Sequence, residues 1–109
     1  MLRKMNFLSF KHGLPVLSRA HIFVSGRVQG VFFRENTLKK AQKIGVFGWV
    51  KNLPDNRLEA VFEGEEKKLK KIIKWMKKGS LFAKVDNIDI QWQTYKKEFK
   101  NFEIKYDDL

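Results

Sequence analysis

The chain has 109 residues, no cysteine, 43% hydrophobic residues with ten phenylalanines among them, and a formal net charge of +11. That length accommodates one domain, with apolar side chains enough for a core without staples. The lack of cysteine excludes a disulfide framework and thiolate chemistry, and suits an intracellular, cytoplasmic protein. No apolar run approaches the ~20 residues of a membrane span, and His12 and His21 give no metal spacing. The positive charge implies a general attraction to polyanions, and it can also steer small phosphorylated anions toward a site.

Residues 1–19 are expected to form a basic N-terminal extension, with four basic residues, no acidic one, and a Gly13-Leu14-Pro15 breaker. Residues 20–109 are expected to form the folded domain. Its first strand is expected over Arg19–Val28, with Ala20, Ile22 and Val24 on one face and His21 and Phe23 on the other. A helix follows over Arg34–Ile44, burying Leu38, Ala41 and Ile44 and stopping at Gly45. A second strand runs over Val46–Leu53, a turn over Pro54-Asp55-Asn56, and a returning strand over Arg57–Glu63. Gly64 and two glutamates open a second helix with Leu69, Ile72, Ile73 and Met76 as its buried stripe. A long strand over Val85–Tyr95, a lysine-rich loop and a short edge strand over Asn101–Tyr106 complete the chain. The order β-α-β-β-α-β predicts an α+β, ferredoxin-like sandwich with two helices on one face of an antiparallel sheet.

The stretch Gly26-Arg27-Val28-Gln29-Gly30-Val31-Phe32-Phe33-Arg34 joins the first strand to the first helix. A strand-to-helix turn with two glycines and a terminal arginine is the local chemistry of an anion cradle. Glycines bring backbone N–H groups close to a ligand. The helix N-terminus contributes unpaired donors and the positive dipole end, and a guanidinium offers bidentate hydrogen bonds to phosphate or carboxylate. The cradle residues are therefore Gln29, Gly30, Val31, Phe32, Phe33 and Arg34. The second notable stretch is Gly48-Trp49-Val50-Lys51-Asn52-Leu53-Pro54-Asp55, on the second strand and its turn. Taken alone, Asn52 is a turn former, Trp49 a packing residue, Lys51 a solvated strand lysine, and Asp55 and Glu59 surface residues of the hairpin.

These two stretches, in this order and at this spacing, resemble the two signatures of the acylphosphatases. The resemblance spans Ala20 to Tyr106. It implies hydrolysis of the carboxyl-phosphate bond of acyl phosphates to a carboxylate and inorganic phosphate. By that resemblance Arg34 binds the phosphate and Asn52 holds the attacking water through its side-chain carbonyl. Phosphoryl transfer asks mainly for positioning and charge stabilisation. A carboxylate leaving group needs little general-acid help, so no metal or cofactor is demanded. The lack of a histidine or paired-carboxylate constellation near the two stretches fits such a substrate and would fit an alkyl phosphate poorly. One departure stands out: the family's turn N-x-x-D-G ends here on Asn56, a residue that tolerates positive φ.

The implied ligands are small acyl phosphates, with inorganic phosphate or sulfate as competing anions. A monomer is expected, without a membrane span or a specific nucleic-acid partner. The competing reading is a ferredoxin-like binding module that uses its basic surface for RNA or another polyanion, with vestigial catalysis. Against it stands the missing G-F/Y-x-F run of such modules, with phenylalanines expected mostly at positions that alternate into the core.

Overall fold

The computed structural model describes residues 14–106. Its elements are β1 (Leu17–Arg27), α1 (Phe33–Ile44), β2 (Phe47–Asn52), β3 (Leu58–Glu65), α2 (Glu66–Lys78), β4 (Lys84–Gln93) and β5 (Phe102–Ile104). The strands form one five-stranded sheet in the order β4-β1-β3-β2-β5. β1 pairs antiparallel with both β3 and β4, placing Ile22 between Ala60 and Ile90. The β-α-β-β-α-β order and the two helices packed on the sheet are as expected. The tail is an edge strand, also as expected, but β5 runs parallel to β2, so the sheet is mixed rather than wholly antiparallel.

The helix-facing side carries the core. Strand period 2 delivers Ala20, Ile22 and Val24 from β1, Leu58, Ala60 and Phe62 from β3, and Val50 from β2. The α2 stripe meets them with Leu69, Ile72, Ile73 and Met76, all buried as expected. In α1 the most deeply buried residues are Phe33, Thr37 and Ala41, one turn apart. Leu38 and Ile44 pack beside them only partly covered. Phe62 stacks on Phe102 of β5, with ring centroids 5.4 Å apart, and thereby ties the short edge strand to the core. Among the described residues no helix is long and apolar enough to cross a membrane.

Two expectations need correction. β1 begins at Leu17, paired with Glu65, two residues before the expected start at Arg19, so Leu17 and Ser18 belong to the sheet rather than to an extension. The rest of the expected extension, up to residue 13, lies outside the described residues. The phenylalanines also depart from expectation: Phe33, Phe62 and Phe102 are core, whereas Phe32, Phe47 and Phe82 are exposed. Phe32 and Phe82 sit in connections, where strand and helix periodicity does not apply.

The sheet's other face, away from the helices, mixes polar and aromatic side chains, among them His21, Phe23 and Trp49. There Glu63, 1% exposed, accepts hydrogen bonds from the Lys96 and Glu98 amides at 2.7 and 2.8 Å and pairs with Arg19 at 3.2 Å. Arg19 also reaches Gln93 and Glu98, and lies over the Phe99 ring. Burial alone would raise the Glu63 pKa, but the two amides and the guanidinium outweigh it and hold the carboxyl below its ordinary value. This knot pins the lysine-rich loop after β4 across β3.

Candidate phosphate-binding turn and its asparagine

Near the end of β1, between Ser25 and Gly26, the register against β4 shifts and leaves Asp86 of β4 without a β1 partner. At Gly26, φ is +126° and an added Cβ would lie 2.2 Å from the Lys84 carbonyl oxygen. The first glycine of the turn therefore lets β4 approach, and it is not among the residues that line the cavity described below. Gly30 has the other role. Its φ is +73° with open space where a Cβ would stand, so conformation alone calls for glycine there. Phe32, two residues on, is also left-handed, at φ 62° and ψ 23°. Such closely spaced left-handed residues curl the backbone into a concave nest.

Phe32 is also the N-cap of α1, and its apolar side chain caps nothing. An asparagine, aspartate or serine at this place would occupy one of the first-turn amides. Here Asn36 is the first residue to find a partner, its N–H donating to Phe32 O at 3.0 Å. None of the N–H groups from Gln29 to Phe33 donates to a backbone carbonyl among the described residues. The turn thus keeps its donors idle at the positive end of a twelve-residue helix.

The second stretch converges on the same place. A cavity of about 220 Å³ is lined by Val28, Gln29, Gly30, Phe32, Phe33, Arg34, Glu35 and Asn52. The Gln29 side chain holds the two stretches together, because its Nε2 donates to Leu53 O at 2.8 Å and to Arg57 O at 2.9 Å. Gln29 therefore serves as a brace between the turn and the β2–β3 hairpin. Sequence reading assigned only its backbone amide.

Asn52 ends β2. Its Oδ1 is buried and accepts no hydrogen bond among the described residues, a condition shared with Thr37 Oγ1 and Ser80 Oγ. Of these three, only Asn52 lines the cavity. Leaving a buried acceptor idle costs ~1–3 kcal/mol, so this oxygen calls for a bound partner. The Arg34 guanidinium lies over the Tyr106 ring, 5.1 Å from its centroid, and no carboxylate pairs with it among the described residues. Its charge stays available while the ring limits its motion. The Glu35 carboxylate, in the first turn of α1, suits the helix dipole but shares the cavity, so the cradle is not uniformly cationic.

Other residues of the two stretches lie elsewhere. Lys51 points to the sheet face away from the helices, 3.7 Å from Glu59, and both Lys51 and Lys105 lie over the Trp49 ring. Glu59 is not a plain surface residue, for it meets His21 Nε2 at 2.6 Å. Asp55 is a turn residue as expected. Its carboxylate accepts the Arg57 N–H, the main reason that its pKa falls below the ordinary value. Asn56 takes φ +72°, the left-handed geometry expected of it. Tyr106 was not singled out from sequence, and its only signal was an aromatic residue just past the last strand.

The architecture and the turn together define a ferredoxin-like α+β domain with a concave turn of unpaired amides at the head of its first helix, among the described residues. The chain belongs to the acylphosphatase family, whose model matches residues 20–104. It is 45% identical over 93 residues to an acylphosphatase of Syntrophus aciditrophicus, covering 85% of this chain and 97% of that protein. A Pyrobaculum calidifontis acylphosphatase is 48% identical over 89 residues, 81% of each chain. The crystal structure of an acylphosphatase from Bacillus subtilis superimposes with a TM-score of 0.79 at 38% identity, covering 84% of this chain and all of that one.

Proposed function

We propose that the chain is a hydrolase of acyl phosphates, with Arg34 and the amides of Gln29, Gly30, Val31, Phe32 and Phe33 holding the phosphoryl group and Asn52 positioning the water. The observation that carries this reading is the idle Asn52 Oδ1, buried on the same small cavity that Arg34 and the unpaired turn line. The phosphoryl oxygens would receive hydrogen bonds from the nest and the guanidinium, which spread and neutralise the charge of a loose transition state. Asn52 Oδ1 would accept one hydrogen from a water and aim its oxygen at phosphorus, opposite the leaving group. The water oxygen bonds to phosphorus as the phosphorus–acyl oxygen bond breaks. The carboxylate leaves with the electron pair, and the water's proton passes to solvent.

A carboxylate is a stable leaving group at neutral pH, so the mechanism assigns no general acid and no metal a step. Family membership and the structural likeness to an acylphosphatase support the same reading. The reading further expects inorganic phosphate or sulfate to compete for the cradle, a monomer to suffice, and a cytoplasmic setting.

The test is kinetic. Wild-type protein should hydrolyse benzoyl phosphate with EDTA present throughout. Asn52→Ala should lower kcat by ~10²-fold or more while phosphate inhibition changes little, because a positioning group acts mainly in the transition state. Unchanged kcat with a lowered Tm would make Asn52 a turn residue only and remove the water-positioning step.

A further inference from the structure

We propose that the outer face of the two helices, together with the α2–β4 connection, is a docking surface for an anionic lipid bilayer. The site is distinct from the phosphate-binding turn, and the proposal does not depend on the catalytic reading.

Two independent features meet there. The first is charge. Lys39, Lys40 and Lys43 of α1 and Lys71, Lys74 and Lys78 of α2 line two adjoining concavities that share Trp75, and no carboxylate lines either one. No ion pair engages any of these six lysines among the described residues, whereas Lys68, which lines the second concavity, is held by Glu65 at 3.0 Å. Six unneutralised ammonium groups on one face repel one another, and an anionic surface relieves that repulsion.

The second feature is apolar. The connection from α2 to β4 carries Leu81 at 87% exposure and Phe82 at 64%, adjacent in sequence. Leu81 lines the same concavity as Lys39, Lys40, Lys43 and Lys78. Two large apolar side chains at a turn tip, beside a lysine field, match what an interfacial protein needs. The apolar tip enters the headgroup region while the lysines remain at the phosphate level.

Nucleic acid fits the same charge less well. The face offers lysines and no arginine fork, and its central aromatic is already engaged, since Trp75 packs edge-on against Phe33 at 5.6 Å and 79°. Base stacking needs free aromatic faces, and a phosphate backbone gives Leu81 nothing to bury against.

The experiment is co-sedimentation of the full chain with sucrose-loaded vesicles, either pure phosphatidylcholine or phosphatidylcholine with 30–40% phosphatidylserine or phosphatidylglycerol (roughly the anionic content at which polybasic segments bind). Binding is expected only to the anionic vesicles and should weaken as salt rises from about 0.05 to 0.5 M. Leu81→Ser with Phe82→Ser should cut vesicle affinity on the order of tenfold or more. Lys71→Gln with Lys74→Gln should cut it by roughly fivefold per lysine. All variants keep residues 1–13, so a basic N-terminus cannot account for the differences. Benzoyl phosphate hydrolysis and Tm should stay near wild type, showing that the variants remain folded. Equal binding to neutral vesicles, or anionic binding that survives both double variants, would overturn the proposal. Tight binding to a single-stranded oligonucleotide that needs the lysines and ignores Leu81 and Phe82, with no vesicle binding, would reassign the face to nucleic acid.

Discussion

Two polar clusters in this small domain are built on opposite plans. On the sheet face away from the helices, both Glu63 oxygens are occupied by amide donors and Arg19, and Arg19 in turn reaches Gln93 and Glu98. At the head of α1, the amides of the turn and Asn52 Oδ1 have no partner among the described residues, and Arg34 meets an aromatic ring there instead of a carboxylate. The first cluster spends its hydrogen bonds on holding a loop to the sheet. The second leaves them idle, at a cost in stability, as the proposed phosphate site requires. A polar group that is satisfied within the fold should report on folding, and an idle one should report on function.

The largest expected effect on stability breaks the satisfied cluster. Glu63→Ala leaves two amides without acceptors and strips one of the two carboxylates from Arg19, and should cost ~2–4 kcal/mol in urea unfolding. The kcat of the folded fraction should stay close to wild type. The same carboxyl gives a pH signature. Its folded pKa lies below the ordinary value of 4.5. The stability it contributes is therefore complete above that value and is lost as pH falls through the lower folded value. Tm measured from pH 6 down to pH 3 should fall more steeply for wild type than for Glu63→Gln. Parallel curves would remove Glu63 as a contributor to acid sensitivity.

Next comes Arg34→Ala, expected to lose ~2–5 kcal/mol of transition-state stabilisation as kcat/KM, with a small change in Tm. Arg34→Lys should rescue little, because a fork becomes a point charge. A large Tm loss with near-normal turnover would place Arg34 with the structural cluster instead.

Gln29→Ala sharpens the comparison because the brace belongs to both plans. It removes two hydrogen bonds to the hairpin and should lower stability by ~1–2 kcal/mol. It should also lower kcat, since the turn and Asn52 lose their shared reference. If stability falls and kcat does not, the two stretches hold their geometry without the brace. The smallest effect is Asn56→Gly, which relieves a left-handed asparagine and should raise stability by roughly 0.5 kcal/mol with kinetics unchanged. No gain in a urea melt would mean the hairpin already accommodates Asn56 without strain.

The legible parts of the fold were those with a period. The four apolar residues of α2 and the alternation of Ala20, Ile22 and Val24 each point to one buried face, and both were read correctly. The parallel pairing of β5 was not legible, because three residues carry no register of their own and are placed by Phe102 stacking on Phe62. The Glu63 knot was hidden for a related reason: its partners come from a loop more than thirty residues later. At the site, the turn and its glycines could be read locally, although Gly26 serves the β4 approach rather than the cradle. The meeting of Asn52 with Arg34 could be expected only from the resemblance. The Gln29 brace depends on where the Leu53 and Arg57 carbonyls point, and residue type does not encode that.

The central claim is that the idle donors at the head of α1 form the anion site, and backbone amide resonances can test it directly. Inorganic phosphate is titrated into 15N-labelled protein at constant ionic strength. The account predicts saturable shifts concentrated at Gln29, Gly30, Val31, Phe32, Phe33 and Arg34, with a dissociation constant equal to the inhibition constant of phosphate against benzoyl phosphate. Shifts confined to the lysines of α1 and α2, with the turn unmoved while phosphate still inhibits, would contradict it.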